Sequence, residues 1–275
     1  MILEGKIALI TGGSRGIGLA VARSFLKEGV KVMLSARSRD ELEKARSDLK
    51  KDFPAPAVFP ADVSNYALVK SLVEEAKKTF GKIDILVNAA GIYGPIGPTS
   101  EIDVDLWRKT YEINVFGTFH MIREVLPLMI KNRSGKIINF SGGGDGPLPN
   151  FSAYNSSKVA IVRLTETIAA EVRDFGIDIN CIAPGPVNTS FLEEALKAGE
   201  KKVGKSKYQE LLKQKADGGV APEKSAELST FLASSVSNGL TGKFLSAVWD
   251  DWRKWDKEMI KEISKTELYT LRRKI

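Results

Sequence analysis

The chain has 275 residues, 43% hydrophobic and 27% charged, the balance of an ordinary globular protein with room for one large α/β domain or two small ones. No apolar run approaches the roughly 18–20 residues of a membrane span, residues 1–10 lack a signal-peptide pattern, and the lone Cys181 excludes an intramolecular disulfide, so a cytoplasmic protein is expected. The net charge is +7, yet no aromatic–basic interleaving or recognition module points to nucleic acid.

Apolar, β-rich runs at residues 6–11, 31–35, 57–60, 83–87, 136–140 and 177–182 predict short strands. Their near-continuous apolar character suits strands buried on both faces of a parallel sheet. Between them, 3.6-residue periodicity predicts helices at about 16–28, 39–51, 65–79, 104–131 and 153–175. A helix at about 222–234 and a seventh strand at 243–247 complete the pattern. This alternation predicts a doubly wound parallel α/β sheet, the Rossmann fold, with about seven strands and helices on both faces. No linker or repeat divides the chain. Residues 1–249 are expected to form a single domain, with a glycine-rich flexible loop at 142–149 and a polar helical excursion at 186–220. Residues 250–275 read as a C-terminal helical extension in which Asp250 and Asp251 cap a helix with Trp252, Trp255, Met259 and Ile263 on its apolar side.

The first strand runs directly into Thr11-Gly-Gly-Ser-Arg-Gly-Ile-Gly18 and then into a helix. Gly12 supplies backbone freedom, Gly16 allows close approach to a pyrophosphate, and Gly18 allows close packing of helix on strand. Ser14, Arg15 and Ile17 complete the turn, and the helix N-terminus offers N–H groups and a positive dipole end to phosphates. Between a strand and a helix, such a turn predicts dinucleotide binding. NAD binders place an acid at the end of the second strand to accept from the ribose 2′-hydroxyl. Here Ser35-Ala-Arg-Ser38 offers no carboxylate, and Arg37 with Arg15 could grip a 2′-phosphate. The expectation is NADP(H), with NAD(H) also possible; the simpler view makes both arginines surface charges.

The Gly-x-x-x-Gly-x-Gly spacing behind Thr11 resembles the short-chain dehydrogenase/reductase family. Farther along, Asp62-Val63 resembles the family's adenine contact. Asn88-Ala-Ala-Gly91 resembles its Asn-Asn-Ala-Gly motif, with Ala89 replacing the second asparagine. Pro184-Gly-Pro-Val-Asn-Thr189 matches Pro-Gly-x-Val-x-Thr, whose backbone and threonine contact the nicotinamide end. The resemblance therefore implies cofactor contacts at Asp62, Val63, Asn88, Ala89, Gly91, Pro184, Gly185, Val187 and Thr189.

Tyr154-Asn-Ser-Ser-Lys158 opens a predicted helix, where four-residue spacing puts phenol and ammonium on one side. A phenol of pKa about 10 is poorly matched to proton transfer near neutrality. A neighbouring cation is expected to lower it by roughly 1–3 units. Both residues are also expected to contact the cofactor, Lys158 through the ribose hydroxyls. Ser141 ends the fifth strand, where its hydroxyl could orient a substrate carbonyl, and Asn114 is a polar residue within an apolar helical pattern. Alone, Asn114 reads most simply as a packing residue; the resemblance implies that it holds a water in a proton relay with Lys158. The implied reaction passes hydride between the nicotinamide and a carbonyl or carbinol carbon. In it Ser141 polarises the oxygen and Tyr154 moves its proton. Cys181 and His120 have no partners at ligand spacing, and no metal is expected.

Two regions depart from the family's pattern. A Val-Asp-Gly-Gly-like end to the last strand is replaced by Phe244-Leu-Ser-Ala-Val-Trp-Asp-Asp-Trp252 and the tail to Ile275, which could cover a neighbour's active-site entrance or the chain's own helices. Residues 197–215 hold seven lysines against Glu200 and Glu210, either a solvated surface or a cationic lid for an acidic substrate. Among relatives, the 3-oxoacyl-carrier-protein reductases share this motif set and the NADP-type arginines, which makes a 3-oxoacyl thioester the first substrate expectation. A sugar or polyol dehydrogenase and a catalytically silent cofactor-binding scaffold are the alternatives. A homo-oligomer, tetramer or dimer, is expected.

Overall fold

The computed structural model of the protein describes residues 1–142 and 146–272. Among these, seven strands are formed: β1 (Ile7–Thr11), β2 (Lys31–Ala36), β3 (Ala57–Pro60), β4 (Ile85–Asn88), β5 (Gly135–Phe140), β6 (Ile177–Ala183) and β7 (Phe244–Ser246). They pair in parallel in the order β3-β2-β1-β4-β5-β6-β7. The α-helices of the described residues are α1 (Gly16–Lys27), α2 (Arg39–Leu49), α3 (Tyr66–Phe80), α4 (Val104–Tyr111), α5 (Gly117–Asn132), α6 (Ser152–Glu171), α7 (Ser190–Ala198), α8 (Glu200–Val203), α9 (Lys205–Ala216), α10 (Pro222–Ala233) and α11 (Lys257–Ser264). The order reverses between β1 and β4. That switch point opens a crevice at the carboxyl ends of the strands.

The period of two along each strand sorts side chains into two cores. Ala8, Ile10, Leu34, Val87 and Ile138 face α1, α2 and α10, whereas Leu9, Met33, Leu86 and Ile137 face α3, α5 and α6. Both sheet faces are thus covered, which is why the strands carry so few polar residues. One polar exception links β4, β5 and α6. Asn88 Nδ2 donates to Asn139 Oδ1 at 2.9 Å, and Asn139 Nδ2 donates to Thr165 Oγ1 at 2.9 Å.

Three predicted elements differ in the structure. The single helix expected at 104–131 is broken by a π-helical turn at Glu112–Phe116. The turn carries Asn114 inward, where its amide binds the main chain of Ile92, a demand that regular α-geometry does not meet. The polar excursion is three helices, α7 to α9, separated by Gly199 and Gly204 with φ of 84° and 90°. Of the loop expected at 142–149, residues 143–145 lie outside the described residues.

The third correction concerns the tail. Asp256, not Asp250 or Asp251, caps α11 by accepting from Met259 N at 2.9 Å. Asp250 instead accepts from Ser246 N at 2.7 Å. A short 3-10 turn at Trp252–Lys254 is followed by an extended Trp255, which shifts the helical register by one residue. Ile260 and Ile263 are therefore buried with Trp252 and Trp255, while Met259 is 44% exposed. These side chains join the core beneath α1 and α10, so the tail covers its own chain. Beyond α11, Tyr269 O accepts from Phe244 N at 2.7 Å and Lys243 Nζ donates to Thr266 O at 2.7 Å, closing the outer edge of β7. No described helix is long and apolar enough to cross a membrane.

Candidate active site

A cavity of about 1500 Å³ runs across the carboxyl ends of the central strands. At its centre the turn after β1 presses against the end of β4. Gly12 has φ +65°, and a Cβ there would lie 2.7 Å from Ala89 O. A Cβ on Gly18 would run into the Gly12 carbonyl, and one on Gly16 would lie 3.4 Å from Thr189 Cγ2. Arg15 occupies the N-cap of α1 without a side-chain cap bond. This cradle of backbone and helix N-terminus fits a pyrophosphate. Ser14, Ile17, Ala89 and Gly91 line the same stretch.

Between the glycine turn and β2, Arg15 and Arg37 line the cavity. The expectation that no carboxylate is available here is overturned. Glu41, in the first turn of α2, lines the same pocket; its Oε2 accepts from Ser14 Oγ at 3.0 Å, and Oε1 stands 3.9 Å from Arg15 Nη1. Ser38 caps α2 by accepting from Glu41 N at 3.2 Å. The Ser-x-x-Glu spacing of a capping box was visible in the sequence; the direction of the Glu41 side chain was not.

Asp62 and Val63 line the cavity beyond β3. Burial opposes ionisation of Asp62, but donation from Ser64 N and Oγ, at 2.9 and 2.6 Å, and the nearby Lys109 and Arg37 hold its carboxyl below the ordinary value. Asn88 departs from expectation. It lies beneath the cavity floor, tied to Asn139, and does not line it.

At the opposite end, Ser141, Tyr154 and Lys158 converge, with Pro184, Gly185, Val187 and Thr189 on the adjoining wall. Tyr154 and Lys158 project from the first two turns of α6, both 5% exposed, and the ammonium lies 5.7 Å from the phenol ring centroid. Lys158 Nζ donates to Phe140 O at 3.1 Å, and Ser141 Oγ donates to Lys158 O at 3.4 Å. The expected lowering of the Tyr154 pKa is not found: burial pushes the phenol well above its ordinary value, with Tyr93 adding to the effect. Burial likewise pulls Lys158 down to about 8. Desolvation is the largest cause of both shifts.

Asn114 is fully buried behind the cavity wall and does not line it. Its Oδ1 accepts from Ile92 N at 2.9 Å, and its Nδ2 donates to Ile92 O at 3.0 Å and Ser157 Oγ at 2.9 Å. It thereby clamps the loop after β4 to the helix that carries Tyr154 and Lys158.

Aromatic side chains not singled out from the sequence form the wall beside Tyr154. Tyr93 stands edge-on to Tyr154 with centroids 4.5 Å apart and packs on Phe191 at 4.7 Å. Burial and the Glu194 carboxylate push the Tyr93 phenol up to about 12, so it stays protonated. Leu148 and Leu211 extend the apolar wall, and Trp249, 69% exposed, stands at its rim. Tyr93 follows the Asn-Ala-Ala-Gly run by two residues, a position whose side chain must face the strand ends; that signal was available. Of the seven lysines at 197–215, only Lys207 and Lys213 line the cavity, and Lys207 pairs with Glu210 at 2.9 Å. Lys197, Lys201, Lys202 and Lys205 are solvated surface.

Residues 6–200 match the family model described as short chain dehydrogenase. The chain belongs to the short-chain dehydrogenase/reductase family. Oxidoreductase UcpA of Salmonella typhimurium (strain LT2) is 39% identical over 249 residues, spanning 87% of this chain and 92% of that protein. The structure of an NAD+-bound xylitol dehydrogenase superposes with a TM-score of 0.82 at 29% identity, covering 90% of this chain and 98% of that one. A single-substitution variant of actinorhodin polyketide ketoreductase with NADPH gives 0.81 at 27% identity, covering 88% and 95%. This short-chain dehydrogenase is an NAD(P)-dependent oxidoreductase. Its structural neighbours include holders of either cofactor.

Proposed function

We propose that this enzyme is an NADP(H)-dependent reductase of a ketone with an apolar body, a 3-oxoacyl thioester being the first candidate. The convergence of Tyr154, Lys158 and Ser141 at one end of the dinucleotide cleft carries this reading. When bound, the nicotinamide supplies or accepts the hydride. Ser141 Oγ donates a hydrogen bond to the substrate oxygen and fixes its direction. Tyr154 donates its phenolic proton to that oxygen in reduction and takes it back in the reverse reaction. Lys158 stabilises the phenolate left behind and holds the ribose hydroxyls. Asn114 is a positioning residue, holding Ile92 and Ser157 in place around the lysine.

The aromatic wall supports an apolar substrate over a sugar or polyol, whose hydroxyls would lose water against Tyr93, Phe191 and Leu148 without finding partners there. Lys207 and Lys213 at the rim suit an acidic carrier or a phosphorylated handle. Arg15 and Arg37 support NADP(H). The reading keeps residues 1–249 as the catalytic domain with 250–275 as an extension, and the buried, unpaired Cys181 suits the reducing cytoplasm. It also makes the enzyme a homo-oligomer, supported by exposed Phe116 and Phe119 on neighbouring turns.

The test is NADPH oxidation with acetoacetyl thioesters beside NADP+ reduction with sugars and polyols, using wild type and Tyr154→Phe. Turnover of the thioester is expected, with kcat lowered about 10²–10⁴-fold in the variant and NADPH affinity unchanged. Near-normal activity in Tyr154→Phe refutes the proton-transfer assignment. Preferential oxidation of sugars refutes the substrate reading, and no turnover beside tight NADPH binding favours the scaffold.

A further inference from the structure

The ribose end of the cleft brings two guanidinium groups and a carboxylate together. Arg15 comes from the glycine turn, Arg37 from the end of β2, and Glu41 from the first turn of α2, and all three line the cavity. The sequence spacing would close a capping box by returning the glutamate side chain to the N-cap residue. Instead the Glu41 carboxylate crosses the mouth of the pocket to the glycine turn, where Ser14 Oγ donates to Oε2 at 3.0 Å and Arg15 Nη1 lies 3.9 Å from Oε1. The Arg15 and Glu41 side chains are 59% and 48% exposed. An ion pair that open contributes little by itself, so its partners exchange readily.

These groups make opposite offers to the two forms of the cofactor. A ribose 2′-hydroxyl needs an acceptor, and Glu41, beside Arg15 and Ser14, can provide one. A 2′-phosphate brings a charge of about −1.5 to −2. It is bound by Arg15 and Arg37 in charge-assisted contacts, but it must first displace Glu41 from Arg15 and Ser14, and then share the pocket with a like charge. We propose that Glu41 is the residue that sets cofactor discrimination in this enzyme: it restrains the preference for NADP(H) given by the arginines and sustains binding of NAD(H). The proposal rests on the reading of this cleft as the NADP(H) site and adds a residue that opposes that preference.

The test is Glu41→Gln, which keeps size and the Ser14 hydrogen bond while removing the charge. Binding of NADP+, NAD+, adenosine 2′,5′-bisphosphate and AMP is measured by calorimetry, with circular dichroism and thermal melting confirming the fold. Removing a like charge a few ångströms from the phosphate is expected to tighten NADP+ and the bisphosphate about tenfold. NAD+ and AMP, which lose the carboxylate acceptor for their 2′-hydroxyl, should weaken, and unchanged affinity for both overturns the role of Glu41 in sustaining NAD(H) binding. Arg37→Ser is expected to do the reverse, weakening only the two 2′-phosphorylated ligands. An unchanged NADP+ to NAD+ affinity ratio in Glu41→Gln overturns the assignment of Glu41 while leaving the cofactor site in place. If wild type prefers NAD+ and the variant reverses that order, the NADP(H) reading falls and Glu41 stands as the discriminator. Binding of neither cofactor by wild type overturns both.

Discussion

Burial governs both members of the tyrosine–lysine pair, and it moves them in opposite directions. Within the protein the Tyr154 phenol is raised and the Lys158 ammonium is brought down to about 8 from its ordinary 10.5. The lysine therefore makes a definite contribution to stability against pH. Below pH 8 folded and unfolded chains both hold its proton, and the fold carries the full cost of a buried charge. Between about 8 and 10.5 the unfolded chain binds more protons than the folded one, so stability rises with pH across that window. The shift corresponds to about 3 kcal/mol. Lys158→Met should melt later than wild type at pH 7 and lack the rise. Urea unfolding of both proteins from about pH 6.5 to 10.5 checks this; parallel curves would contradict it. Under the proposed function, Lys158 is kept at this cost in the usual exchange of stability for function at an active site.

At the level of elements, the π-turn and the tail show how packing sets local register. The apolar pattern at 104–131 was compatible with one long helix. A buried amide that must meet the Ile92 main chain inserts the extra residue. In the tail the tryptophans were legible as a buried stripe, but their cap and register followed from where the core beneath α10 could accept them. Trp255 packs on Tyr269 at 5.1 Å and on Phe231 at 6.5 Å, and is 6% exposed. Trp255→Ala is therefore expected to cost about 3–5 kcal/mol, measured by denaturant unfolding. A loss below about 1 kcal/mol would mean that the tail covers the core without stabilising it.

For the whole molecule, apolar surface is left uncovered around α4 and α5, where Leu106, Phe116 and Phe119 are 55%, 53% and 42% exposed. Phe116 and Phe119 flank the His120 ring, so the two phenyl groups sit in one patch. A second copy of the chain is the occupant that a homo-oligomer requires. Phe116→Glu with Phe119→Glu should shift the assembly to monomer in light scattering, with the secondary structure retained. A wild type that is already monomeric at micromolar concentration would remove the oligomer from the reading.

The sequence by itself determined what short-range physics fixes. The strands were legible from continuous apolar runs, and the glycine turn from its place between strand and helix. The Tyr154–Lys158 pair was legible from helical spacing, and the family from the order of motifs around them. The strand order and the convergence of Ser141, Tyr154 and Lys158 at one end of the cleft required the folded sheet. So did the retreat of Asn88 and Asn114 from its surface and the arrival of Tyr93. Glu41 marks the boundary most clearly. Its position four residues after Arg37 was in plain view, yet a flexible exposed carboxylate takes its direction from the partners that tertiary structure brings near. Here those partners, Ser14 and Arg15, come from a turn on another strand.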